Sequence, residues 1–192
     1  RTLLIMRHGK AANQASHLGD HDRPLTPEGI TAAQHQAVLH PPAMRQTMLI
    51  SSARRTQQTA QALMETWTAQ GQERLPEHRS LDQGYLAPAA LWMDLLSLVD
   101  DHSTSVWIIG HNPGISELIV HLTGDYCSLS TADIARIDLN IESWSHIAPA
   151  SGVTDSTTPA EALNFAMQQP EKASPSSARH PLKADFWTLR RI

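Results

Sequence analysis

The chain has 192 residues, 41% of them hydrophobic, and a formal net charge of −4, which suits one domain with a substantial core. The acidic balance argues against a nucleic-acid partner, since no global basic field attracts a phosphodiester backbone. Cys127 is the single cysteine, so neither an internal disulfide nor a cysteine-built zinc site is expected. A reducing, cytoplasmic location fits that cysteine use. No apolar run approaches the ~20 residues that span a bilayer, so no membrane partner is expected, and the opening segment reads as a strand rather than a signal peptide.

In chain order, Leu3-Leu4-Ile5-Met6 is a short apolar run that breaks into Arg7-His8-Gly9. Thr26-Pro27-Glu28 reads as an N-cap, a first-turn proline and an early acid, opening a helix through Ala33 and Ala37. Met48-Leu49-Ile50 breaks into Ser51-Ser52, and Thr56, Ala60, Leu63, Met64 and Trp67 then mark one helix face, with Ser52 as the expected cap. Leu91, Leu95, Leu98 and Val99 mark another helix. Val106-Trp107-Ile108-Ile109 breaks into Gly110-His111-Asn112-Pro113, with Asn112 and Pro113 as N-cap and first residue of a helix through Ile115, Leu118, Ile119 and Leu122. Runs apolar at every position predict strands covered on both faces. The fold class expected is α/β, a three-layer α/β/α sandwich with a mostly parallel central sheet. Ile137, Leu139 and Ile141 alternate with polar residues, as in a half-exposed strand near an edge.

From about 145 to 181 the composition changes. This stretch holds five of the 12 prolines and is rich in Ser, Thr and Ala. It reads as a surface insertion in a single domain spanning 1–192, with a short helix at Glu161 to Gln168 and a last strand at Phe186-Trp187-Thr188-Leu189.

Ligands of parallel sheets bind beyond the carboxyl ends of the strands. Three such ends carry polar groups: Arg7-His8-Gly9, Arg55 after Ser51-Ser52, and His111-Asn112. Cations near an imidazole lower its pKa and keep a lone pair available, and guanidiniums match phosphate oxygens with paired donors. Asn112 opens a helix whose free N–H groups favour an anion. His111, if protonated when phosphate is bound, adds a further donor. The chemistry this set suits is phosphoryl transfer. The long loop from Lys10 to Leu25 is expected over the same edge. His17 and His21 stand four apart, but Gly19 and the loop composition argue against a helix that would join them on a metal. No metal is expected.

Ile5-Met6-Arg7-His8-Gly9, Ser51 to Ala60 with Arg55 three residues before Gln58-Thr59-Ala60, and Val106 to Gly114 resemble the three signature blocks of the histidine phosphatase superfamily, which has the phosphoglycerate-mutase-like fold. Within it, Asp22-Arg23-Pro24-Leu25-Thr26-Pro27-Glu28-Gly29 and Gly110-His111-Asn112-Pro113-Gly114 resemble the SixA-type phosphohistidine phosphatases. The resemblance covers roughly Arg1 to Ile141. It implies a phosphatase with His8 as the covalent nucleophile, Arg7, Arg55 and His111 as the phosphate pocket, and no cofactor. The expected partner is a phosphorylated substrate, a phosphohistidine-bearing protein foremost. The acid motif of the larger members is not found. Asp82 and Glu77 lie in the corresponding region, and Asp82 is the candidate acid, although both read more readily as surface carboxylates. A pocket without an acid suits a phosphoramidate better than a phosphoester, whose alkoxide leaving group needs a proton. Three alternatives stay open: a small-molecule phosphomonoester phosphatase, a phosphoglycerate-mutase-like transferase, and a non-catalytic phosphate-binding module.

Overall fold

The computed structural model describes residues 1–13 and 19–154. Its frame is a six-stranded sheet in the order β3-β2-β4-β1-β5-β6. The strands are β1 (Thr2–Arg7), β2 (Gln46–Ser51), β3 (Glu77–Leu81), β4 (Ser105–Gly110), β5 (Ile134–Leu139) and β6 (Gly152–Thr154). The four strands from β3 to β1 run parallel, while β5 and β6 pair antiparallel.

The continuous apolar runs have the expected cause. Successive side chains of a strand point to opposite faces, and both faces are covered. Leu4, Met6, Met48, Ile50, Trp107 and Ile109 meet Ala33 and Ala37 of α1 (Pro27–Leu39) and Ala60, Leu63 and Trp67 of α2 (Arg54–Ala69). Leu3, Ile5, Leu49, Val106 and Ile108 meet Trp92 and Leu96 of α3 (Ala89–Ser97) and Ile115, Leu118, Ile119 and Leu122 of α4 (Gly114–Thr123). This is the three-layer sandwich. Truncating a fully buried Leu3 or Leu63 to alanine costs ~2–5 kcal/mol, because the packed layers cannot collapse onto the void.

Thr26 caps α1 as its sequence predicts, its hydroxyl accepting from the Gly29 N–H with Pro27 in the first turn. Other local expectations shift. Ala53, not Ser52, is the N-cap of α2 and makes no side-chain cap bond. Gly114 opens α4, so Asn112 and Pro113 precede that helix, joined by a cis peptide. On α3 the buried stripe is Ala89, Trp92 and Leu96, and Leu98 is 77% exposed. The indole of Trp92 shares the core with Leu96, and Leu91 and Leu95 lie partly buried at its flanks.

Strand β3, sequence Glu-His-Arg-Ser-Leu, was not expected. It is an edge strand whose first four side chains are exposed, so no apolar pattern marks it. The stretch from Ser145 begins at the surface, with Ser145, His146, Ala148, Pro149 and Ala150 exposed, and Gly152–Thr154 then adds a strand outside β5. Just before this stretch Trp144 is buried, its indole N–H donating to the Ser103 carbonyl at 2.7 Å. The expected helix at Glu161 to Gln168, the strand at Phe186 to Leu189 and the insertion from 155 to 181 lie outside the described residues. Among the described residues no helix is long and apolar enough to cross a membrane.

Candidate active site

The site is built at the carboxyl ends of β1, β4 and β2, which are neighbours in the sheet. Register sets Arg7 beside Gly110 and Ile50 beside Ile109. His8, His111 and Ser51 therefore emerge side by side, about one strand spacing apart. The His8 and His111 rings lie 5.1 Å apart between centroids.

Gly9 is required where β1 leaves the sheet. A Cβ there would sit 2.5 Å from the Gly29 carbonyl oxygen, so the strand exit presses directly on the start of α1. The same backbone holds the nucleophile candidate. His8 Nδ1 is 2.8 Å from the Gly9 carbonyl, which can only accept, so Nδ1 carries the proton. His8 Nε2 is left with a lone pair, and Arg55 Nε donates to it at 3.2 Å. Thr59 closes the arrangement, accepting from the Gly9 N–H and donating to the Arg55 carbonyl. His8 is 9% exposed. Burial, with the charges of Arg55, Arg7 and Arg23, outweighs the Gly9 contact and pushes its pKa down to about 4. The imidazole is neutral at pH 7, as a nitrogen nucleophile must be.

Arg55, in the first turn of α2, is 4% exposed. Its outer nitrogens donate to the Asp20 carbonyl at 2.6 Å and to Asp20 Oδ2 at 3.0 Å. Arg7 Nη1 donates to the Leu129 carbonyl at 3.0 Å, while its Nε is buried without a partner among the described residues. His111 is 3% exposed, with Nε2 2.8 Å from Ser51 Oγ and Nδ1 buried and likewise unpartnered. Burial, then Arg55 and His8, push the His111 pKa down to about 3. His111 is therefore neutral in the free protein. Two buried polar atoms without partners among the described residues, Arg7 Nε and His111 Nδ1, suit an oxyanion, which supplies only acceptors.

A family model of the histidine phosphatase superfamily (branch 1) matches residues 3–83, a span that contains Arg7, His8 and Arg55. Over that span the chain is similar to the histidine phosphatase superfamily. His111 lies beyond the matched span and reaches the other three through the sheet. Solved structures agree with the assignment. The protein named as phosphohistidine phosphatase SixA from Nakamurella multipartitia is 27% identical, with a TM-score of 0.64 over 80% of this chain and 92% of that one. A protein histidine phosphatase SixA complexed with tungstate is 25% identical, with a TM-score of 0.62 over 72% and 88%. An alpha-ribazole-5'-P phosphatase from Escherichia coli, at 17% identity and a TM-score of 0.58 over 79% and 98%, shares the fold. No curated protein gives a significant match.

Of the other residues expected at the site of this phosphatase, Asn112 has its side chain engaged elsewhere, Asp82 is exposed and Glu77 is remote. The Asn112 amide donates to the Leu129 carbonyl and its oxygen accepts from Ser116. Asn112 thus steadies the loop that holds Arg7, with its polar atoms already engaged. Asp82 stands at the site end of β3 on a 3-10 turn, with its carboxylate exposed and its carbonyl accepting from the Tyr85 N–H. Glu77 opens β3 at the opposite end of the sheet.

The carboxylate that does reach the site is Asp20, on a short turn (Asp20–Asp22) of the loop after β1. It pairs with Arg23 at 2.8 Å and Arg55 at 3.0 Å and accepts from the Tyr85 hydroxyl at 2.8 Å. The Arg23 and Tyr85 bonds, followed by Arg55, hold it well below the usual carboxylate range. Tyr85 extends a row of rings. Its edge meets His111 at 5.7 Å and His21 at 4.9 Å, and His21 Nε2 is 3.0 Å from Ser52 Oγ. Asp20 and His21 of the Lys10 to Leu25 loop do lie over this edge, on Arg55 and Ser52. Its spacing, with an acid three residues before Arg23, was the available signal for Asp20. His17 lies outside the described residues.

Proposed function

We propose that this phosphatase removes phosphoryl groups from phosphohistidine in a protein, through a covalent intermediate on His8. In the first step His8 Nε2 bonds to phosphorus as the substrate N–P bond breaks, the electron pair leaving with the substrate imidazole. Water then attacks phosphorus, the P–Nε2 bond breaks, and inorganic phosphate is released. Arg7, Arg55 and His111 bear the charge on the transferring oxygens. The groups lining the pocket are guanidiniums and imidazoles rather than a carboxylate cluster that holds magnesium, so the reading includes turnover without a metal.

The observation that carries the substrate choice is the state of Asp20. Among the described residues it is the carboxylate hydrogen-bonded within the site, and three donors keep it ionised, so it has no proton to give an alkoxide at neutral pH. An imidazole protonated on its far nitrogen departs neutral and needs no such acid. The test compares kcat/KM on a phosphohistidine protein with kcat/KM on several alkyl phosphomonoesters. The reading expects the phosphohistidine protein to be preferred. A preference for the esters that Asp82→Asn abolishes would refute it and identify Asp82 as the acid.

A further inference from the structure

We propose that Ser51 is a positioning residue that fixes the tautomer of His111, donating its hydroxyl proton to Nε2 so that Nδ1–H is the atom offered to the phosphoryl oxygen. Ser51 ends β2 and is fully buried. Among the described residues its hydroxyl has one partner, His111 Nε2 at 2.8 Å. If Ser51 accepted a proton from Nε2–H, its own hydroxyl hydrogen would be buried with nothing to bond, which is costly away from water. If it donates, that hydrogen is satisfied.

The other ring nitrogen gives a second, independent argument. Nδ1 is buried and unpartnered among the described residues. With Nε2 occupied by Ser51, Nδ1 is the polar atom His111 has left for a ligand. An ionised phosphoryl group brings only acceptors. A bare Nδ1 would face it lone pair to lone pair, whereas Nδ1–H completes the relay from the Ser51 hydroxyl through the ring to the phosphoryl oxygen. Neutrality of the ring, enforced by burial and then by Arg55, makes the choice between tautomers decisive. A doubly protonated ring would donate from both nitrogens whatever Ser51 did. His8 is held in the same Nδ1–H tautomer by the converse arrangement, an acceptor on Nδ1 in place of a donor on Nε2. The Gly9 carbonyl pulls the proton to Nδ1 and bares Nε2 for attack. One backbone acceptor and one hydroxyl donor thereby assign nucleophile and donor roles to two neighbouring rings.

The inference rests on reading His8 and His111 as the phosphoryl pocket, and its test needs no turnover. Long-range proton–nitrogen NMR on the free protein at neutral pH distinguishes a protonated Nδ1 from a protonated Nε2. The expected wild-type spectrum has His111 protonated at Nδ1 and bare at Nε2. Ser51→Ala should admit the Nε2–H form and lower kcat roughly tenfold, a mixed-tautomer loss smaller than deleting a donor outright. Ser51→Thr, which restores the hydroxyl, should restore the tautomer. A wild-type His111 protonated at Nε2 overturns the inference whether or not any variant folds, and leaves the phosphatase reading intact. Failure to form a phosphoenzyme on His8 would sink that reading with the His111 spectrum unchanged.

Discussion

The parallel strands carry arginines and histidines at both ends, and the two ends treat charge in opposite ways. At the carboxyl ends, Arg55 is 4% exposed and tied to His8 and Asp20, and the imidazoles beside it are buried. At the amino ends, a cavity of about 600 Å³ is lined by Arg45, Arg74 and Arg79 with Glu77, Asp100 and His102. Those three arginines are exposed, and none makes an ion pair with another described residue. Water solvates such groups as well as a ligand would, so little is gained when an anion arrives. What makes a reactive cluster is desolvation and fixed geometry, and only the carboxyl ends have both.

The largest expected difference between the two ends is catalytic. His8→Ala should abolish turnover with the fold intact, and Arg55→Ala should lower kcat about 10²–10³-fold, the cost of one preorganised donor. Arg79→Ala, at the other end, should leave kcat/KM within about twofold. Equal losses at the two ends, measured by steady-state kinetics on folded variants, would erase the comparison.

Acid sensitivity should follow the same division. Folding holds the His8 and His111 pKa values at about 4 and about 3, below the ordinary 6.5. Unfolded chains therefore bind protons that the folded protein does not. Stability from these rings is fully present above about pH 6.5 and declines as pH falls toward 4, with each ring contributing up to ~1.4 kcal/mol per pH unit within that window. Urea midpoints should drop between pH 6.5 and 5, and His8→Gln should flatten the drop. A level profile in both proteins would mean that the rings are not desolvated.

Much of this was legible before the fold was known. Continuous apolar runs betrayed strands with two covered faces, and Arg7, His8, Arg55 and His111 stood where those runs broke. The missing parts had physical reasons for being silent. β3 is an exposed edge and carries no apolar period. Tyr85 enters only because β3 lies next to β2, a neighbour relation that no local pattern encodes. Ser52 resembled a cap, yet its hydroxyl is spent on His21. Asn112 sat in the right block, but its amide is committed to Leu129 and Ser116. Motifs place a residue at a strand end; the hydrogen bonds it has already made decide whether it can meet a ligand.

Smaller effects sharpen the account. Asp20→Asn keeps the shape but removes the charge that pins Arg55 and Arg23, and should cost about tenfold in kcat/KM, equivalent to ~1.4 kcal/mol. An unchanged value would mean that Arg55 holds its place without Asp20. Smallest of all, replacing residues 155–181 by a short linker should preserve a single cooperative unfolding transition, since that Pro-, Ser- and Thr-rich composition promises little burial. Loss of cooperativity would show that the core extends into it.

The central claim is that the neutral, buried Nε2 of His8 takes the phosphoryl group. Its most direct test is to quench a reaction with phosphorylated substrate and locate the phosphate by mass spectrometry, with its stability followed in acid and in alkali. The account predicts phosphate on His8, lost in acid and kept in alkali as an N–P bond requires, absent from His8→Ala and formed equally in the presence of a chelator. A phosphoenzyme on another residue, or turnover that never phosphorylates His8, would contradict it.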